Sequence, residues 1–132
     1  TPFYITVRDD SYYYLRGGSD PYFTRDYIKN IPNVNTTFQG FQLGPDAIVW
    51  GREYVSNSPD TPNQMILHKR WYSFRLWGRL AYNPETPNSV FINMLKHRFP
   101  QVNSEYLFNA WSKASQVVPL VNRFHNHKAY LD

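Results

Sequence analysis

The hydrophobic periodicity of this chain changes near residue 64, and this change limits the possible folds more than any other feature. Before it, residues 3–7 (FYITV) and 36–43 (TTFQGFQL) have the β-branched and aromatic composition of short strands, and a helical pattern lies between them. After it, apolar residues recur at helical spacing over residues 64–82, 87–100 and 103–124. The predicted order is therefore strand, helix, strand and then three helices.

Local sequence signals add detail to this order. Ser19-Asp20-Pro21 offers an N-cap followed by a proline suited to the first helical turn, and Pro32 is expected to end that helix. Gly40 interrupts the alternation of the second strand and predicts a bend or bulge there. In the first of the later helices Leu67, Trp71, Phe74 and Gly78 share one face. Because Ile66, Trp77 and Leu80 widen this face, we expect the helix to be buried on much of its circumference.

The strand-helix-strand order is typical of parallel strands joined by a right-handed crossover. A complete eight-fold barrel needs about 250 residues, and this chain has 132. We therefore expect an α/β fold, a partial (β/α)8-barrel segment with two or three short parallel strands followed by a helical C-terminal part. Residues 1–132 would form a single unit, with the barrel segment at 1–63 and packed helices at 64–132, excised from a larger barrel enzyme.

The composition narrows the classes of partner. Aromatic residues make up 18% of the chain, which suits flat ligands such as sugars but also an aromatic core. The net charge of +4 is spread along the sequence, with His68-Lys69-Arg70 as the densest basic run, so we expect no nucleic-acid partner. No apolar run approaches the ~20 residues that span a bilayer, so we expect no membrane partner either.

The first group of candidate catalytic residues follows the first strand. Active groups of parallel α/β folds gather at the C-terminal ends of strands, where this chain has Arg8, Asp9 and Asp10. Adjacent carboxylates there can act as a general base or hold a sugar hydroxyl, with the arginine contacting substrate. The alternative is a solvated turn in which the acids pair with Arg8.

The second group follows the second strand and combines Asp46 with the segment Trp50-Gly51-Arg52-Glu53-Tyr54. Trp50 can stack on a pyranose ring, Arg52 can bind a carboxylate, and Glu53 can serve as acid, base or nucleophile. In the alternative interpretation Trp50 belongs to the core, and Arg52 and Glu53 form an exposed ion pair.

Two further residues, Tyr12 and Arg16, are expected to contact substrate. Tyr12 belongs to a run of three tyrosines that cannot all face one way in a strand, so at least one is exposed or lines a cleft. The four histidines lack ligand spacing, so we expect surface or core positions for them and no metal. We expect no cofactor.

Several segments resemble one enzyme family. Residues 70–84 (RWYSFRLWGRLAYNP) resemble the W-Y-x-F-x-x-x-G-R-L-x-x-x-P run of alpha-glucuronidase-like glycoside hydrolases, which are TIM-barrel enzymes, and of their uncharacterised bacterial relatives. The segments LRGGSDPYFTRDYIKNIP and GPDAIVWGREY are similar to barrel segments of the same group. The resemblance implies hydrolysis of polysaccharide-derived oligosaccharides, with Asp9, Asp10 and Glu53 as the paired carboxylates.

Three functional hypotheses result. The first is part of a glycoside hydrolase that is incomplete as a catalyst by itself, because the resemblance places the proton donor on an earlier strand. The second is a non-catalytic carbohydrate-binding or interaction module. The third is a structural fragment that self-associates through exposed barrel contacts. The expected location is periplasmic or secreted in a bacterium, although the chain starts at Thr1 without a signal peptide.

Overall fold

The computed structural model describes residues 3–8, 19–34, 37–44 and 66–129. Helix predominates in this part, with four helices of 14, 17, 11 and 26 residues. In chain order the elements are β1 (Phe3–Arg8), α1 (Pro21–Val34), β2 (Phe38–Gly44), α2 (Ile66–Tyr82), α3 (Asn88–Arg98) and α4 (Ser104–Ala129).

The two strands lie side by side and run parallel, with Ile5 opposite Phe41. Their register shifts at the start, because Phe3 pairs with Phe38 whereas Tyr4 pairs with Gly40. One extra residue of β2 therefore stands at this point, as in a β-bulge. The irregularity predicted around Gly40 is confirmed.

The expected fold class is wrong. A partial (β/α)8-barrel segment needs strands that alternate with helices, so that the helices cover a growing parallel sheet. Here β1 and β2 pair only with each other among the described residues, and α2, α3 and α4 follow in succession. The apolar faces of these helices pack on one another, which makes the protein mainly helical.

The predicted helices after residue 64 are confirmed, and each begins within two residues of its expected start. The first helix continues two residues past Pro32, which was expected to end it. Proline removes one backbone donor and crowds the carbonyl of the preceding turn, but so close to the end of α1 it does not stop the helix before Val34.

The core lies where three helices meet. From α2 it takes Tyr72, Leu76 and Leu80 at four-residue spacing, so that these side chains lie on one face. Full burial of a large apolar side chain contributes about 1.5–3 kcal/mol. The other buried members of this cluster are Trp77, Phe91, Leu95 and Phe108.

The burial predicted for α2 is confirmed for Trp77 and Leu80, which lie in the core. It is wrong for Gly78, which is exposed, and Trp71 and Phe74 are only half-buried. The remaining buried apolar residues of this helix are Tyr72 and Leu76. Aromatic side chains lie on both sides of this helix, and the packing of the other helices decides which side is covered.

Buried hydrogen bonds join the start of α1 to α4. Asp20 caps α1, since one carboxyl oxygen accepts the Tyr22 N–H at 3.1 Å. The same oxygen accepts the Ser112 hydroxyl at 2.8 Å, and the other accepts the Gln116 amide at 3.0 Å. The neighbouring Ser19 N–H donates to the Ser115 hydroxyl at 3.0 Å. Because Asp20 is only 6% exposed, these donors replace its lost hydration.

A second connection holds α1 on the turn between α2 and α3. Arg25 donates to the carbonyl oxygens of Pro84 and Thr86, both at 2.9 Å, and to the Asn88 side chain at 3.0 Å. Asn88 in turn donates to the Tyr22 hydroxyl at 3.0 Å. Three neutral acceptors thus hold one guanidinium and set the position of α1.

Asp20→Ala is expected to lower the free energy of unfolding by about 3 kcal/mol, because it removes a helix cap and leaves buried donors without an acceptor. Urea denaturation followed by circular dichroism measures the change. Asp26→Ala is the matched control, since the Asp26 side chain is exposed on the same helix, and it should change stability by less than about 0.5 kcal/mol. Equal effects of the two substitutions would contradict the role of Asp20.

Tyr72→Phe is expected to leave stability unchanged or raise it by about 1 kcal/mol, because the buried Tyr72 hydroxyl has no hydrogen-bond partner. Burial also raises the pKa of the Tyr72 phenol. The unfolded chain therefore ionises first, and the wild type should lose stability as the pH rises above about 10. Denaturation curves between pH 8 and 11 should show a smaller loss for Tyr72→Phe, whereas a marked destabilisation at neutral pH would mean that the hydroxyl is bonded.

Candidate ligand-binding groove

Of the site residues predicted from the sequence, only Arg8 belongs to the described part of the chain. Arg8 is the last residue of β1, and its backbone lies opposite Gly44. The two strands whose carboxyl ends were expected to carry the site run parallel and end side by side. The other residues lie outside the described part of the chain and stay predictions: Asp9, Asp10, Tyr12, Arg16, Asp46, Trp50, Arg52 and Glu53.

A different site lies between α2 and α3, where the two helices enclose a groove of about 650 Å³. This volume lies in the range of small-molecule sites. The groove is open to solvent on one side. Its described lining consists of Trp71 and Arg75 from α2 and of Val90, Asn93, Met94, His97 and Arg98 from α3.

Helical spacing brings these side chains into the groove. Trp71 and Arg75 are four residues apart on α2, so they lie one turn above the other. On α3 the groove residues recur at positions 90, 93–94 and 97–98, whereas the buried Phe91 and Leu95 face the core. Each helix therefore uses one face for the core and another for the groove.

The groove has an apolar floor and a cationic rim. Trp71, Val90 and Met94 are half-buried, whereas Arg75 and Arg98 are exposed. Neither arginine has an ion pair or a hydrogen bond among the described residues. The described lining contains no carboxyl group, so both guanidinium groups are available to an anion.

Helix electrostatics offer a simpler explanation for part of this charge. Lys96, His97 and Arg98 form the last turn of α3, where cations stabilise the C-terminal end of the helix dipole. Arg75 lies in the middle of α2, and the dipole does not account for it. Helix stabilisation therefore does not explain why Arg75 lines the groove together with Arg98 and Trp71.

The tryptophan of the groove is supported from behind by other rings. Trp71 contacts Tyr72 edge-to-face at 5.6 Å between ring centroids, and Tyr72 contacts Trp111 at 5.3 Å. Trp111 also contacts Phe99 at 5.9 Å. This series of edge-to-face contacts, the aromatic row, restricts the rotation of the Trp71 ring. A ligand that stacks on Trp71 consequently loses less affinity to side-chain ordering.

Sequence reasoning did not identify this groove. The sequence pattern predicts a buried face for Trp71 and a surface or core position for His97. Arg75 and Arg98 are charged residues on helices, which are usually solvated. Only the pairing of α2 with α3 brings them together, and a single sequence does not specify that pairing.

The described residues contain no group of three or more His, Asp or Glu side chains that could hold a metal ion. No described helix is long and apolar enough to cross a membrane.

Comparisons with protein-family models, curated proteins and solved structures gave no match. The resemblance to alpha-glucuronidase-like enzymes therefore remains a prediction from the sequence.

Proposed function

We propose that this chain is a non-catalytic module that binds acidic oligosaccharides in the α2–α3 groove. The observation that carries the proposal is that a half-buried Trp71 lines one groove together with two exposed arginines, Arg75 and Arg98, which have no ion pair or hydrogen bond among the described residues. The proposal corresponds to the second hypothesis drawn from the sequence, a non-catalytic carbohydrate-binding or interaction module.

The floor of the groove supports binding of a sugar ring. Pyranose rings present flat faces of C–H groups that pack on aromatic surfaces, and Trp71 offers such a surface beside Val90 and Met94. Asn93 and His97 are exposed at the rim and carry polar atoms for sugar hydroxyl groups. Apolar contact with a few polar groups is typical of small-molecule sites.

The rim supports an acidic rather than a neutral ligand. Arginine binds carboxylate through two parallel N–H groups and remains charged at all physiological pH values. The net charge of +4 adds a weak attraction for anions over longer distances. Because Arg75 and Arg98 are exposed, the interaction should weaken as salt rises.

Hydrolysis finds no support in the groove. Glycoside hydrolases of the ordinary type need two carboxyl groups beside the scissile bond, and the described lining has none. Asp9, Asp10 and Glu53 lie outside the described residues. The proposed module binds oligosaccharide without cleaving it.

Single-stranded nucleic acid could use the same chemistry, because aromatic rings and cations also bind bases and phosphates. The sequence favours sugar, since its basic residues form no continuous stripe along the chain. A single tryptophan in a short groove also offers little stacking surface for successive bases. Competition by an oligonucleotide distinguishes the two ligands.

Isothermal titration calorimetry with a uronic acid tetramer and its carboxyl-reduced counterpart tests the proposal. The acidic tetramer should bind, and the neutral one should bind about tenfold more weakly because it lacks the charge-assisted hydrogen bonds. Arg75→Gln and Arg98→Gln should each weaken binding of the acidic tetramer about tenfold. Lys113→Gln removes the same charge from an exposed position of α4 and should leave binding unchanged.

Three results would contradict this function. The first is that the acidic tetramer does not bind. The second is that Lys113→Gln and the two groove variants lose equal affinity for the tetramer. The third is that a short oligonucleotide displaces the tetramer at a concentration lower than that of the tetramer itself. Release of reducing sugar during the titration would instead support the hydrolase hypothesis.

A further inference from the structure

We infer that the groove continues along the exposed face of α2 into a second subsite at Gly78 and Tyr82, and that the module therefore prefers an extended acidic oligosaccharide to a single sugar. The inference rests on the proposed function, because it lengthens the same binding site.

The geometry of α2 places the second subsite in line with the first. Trp71, Arg75, Gly78 and Tyr82 follow one another at intervals of four, three and four residues, so they lie on one face of the helix. Trp71 is half-buried against the core, whereas the other three residues of this face are exposed. At 1.5 Å per residue, Trp71 and Tyr82 are roughly 16 Å apart along the helix axis, which exceeds the length of one sugar ring.

Gly78 has no evident structural reason to be glycine. It lies inside α2 and is exposed, and a Cβ added to it would meet nothing within 4 Å. Its backbone does not have the positive φ that favours glycine. Because glycine lowers helix stability relative to alanine, a residue with a side chain would serve the fold better. A bare backbone here permits close approach of a ligand.

Tyr82 supplies a second aromatic surface at the end of this face. Its side chain is 92% exposed, and its ring contacts no other ring among the described residues. Single exposed aromatics are common and need no explanation by themselves. Tyr82 gains significance because it lies on the same face as Trp71, with Arg75 and Gly78 between the two rings.

The charge of α2 indicates the chemistry of the occupant. The helix contains no acidic residue, whereas Arg75 and Arg79 are both exposed along it. An anionic ligand is therefore complementary to Arg75 on the face and to Arg79 beside it. An acidic oligosaccharide meets this requirement, because its carboxylates repeat along the chain and its rings can stack at both ends.

The experiment compares a uronic acid monomer with the tetramer on the full chain by calorimetry. The wild type should bind the tetramer more tightly than the monomer. Gly78→Gln fills the open space, and Tyr82→Ala removes the ring, so each should weaken tetramer binding about tenfold and leave monomer binding unchanged. Ala110→Gln, which adds the same side chain at an exposed position of α4, should change neither affinity.

The variant Gly78→Ala distinguishes a direct effect on binding from an effect on folding. Its melting temperature should rise by a few degrees, because alanine is the better helix former and meets no neighbour. Its affinity for the tetramer should nevertheless fall, although less than that of Gly78→Gln. A gain in stability together with a loss in binding would exclude misfolding as the cause.

The outcomes distinguish this inference from the function on which it rests. If the wild type binds the tetramer and Arg75→Gln weakens binding, but the Gly78 and Tyr82 variants bind as the wild type does, the second subsite is refuted and the groove stands. If the wild type binds neither uronic acid ligand, both proposals are refuted.

Discussion

The arrangement of the helices depends on one buried carboxyl group. Asp20 caps α1 and accepts hydrogen bonds from Ser112 and Gln116 on α4. A carboxyl group inside a protein is tolerated only when donors surround it, and these donors exist only when α1 and α4 are correctly placed. Arg25 fixes the other side of α1 in the same manner, through acceptors on the turn between α2 and α3. Directional polar contacts thus orient helices that apolar contact alone would hold less specifically.

The helix α2 serves two purposes with two faces. Tyr72, Leu76 and Leu80 are buried in the core, whereas Trp71 and Arg75 line the groove. The buried face is mainly aromatic and aliphatic, with the small Ser73 also buried, and it packs without the residues on the other side. The exposed face carries Arg75, which has no ion pair or hydrogen bond among the described residues and takes no part in the core. Division of a helix in this way is a common basis for binding sites between helices.

Local features of this protein could be predicted from sequence, and non-local ones could not. The cap at Asp20 and the bulge near Gly40 each depend on a few neighbouring residues. The partners of Asp20 on α4 lie more than 90 residues away, and only tertiary packing selects them. The predicted fold class was wrong for the same reason, because a strand-helix-strand pattern does not reveal whether later helices cover a sheet or one another. The groove could not be predicted either, because it exists only where α2 meets α3.

The aromatic row has a thermodynamic consequence. Tyr72, which is fully buried, contacts both Trp71 at the groove and Trp111 on α4. If a ligand stacks on the Trp71 indole of the folded chain alone, mass action links occupancy of the groove to resistance to unfolding. The ring that such a ligand covers is in direct contact with a ring of the core.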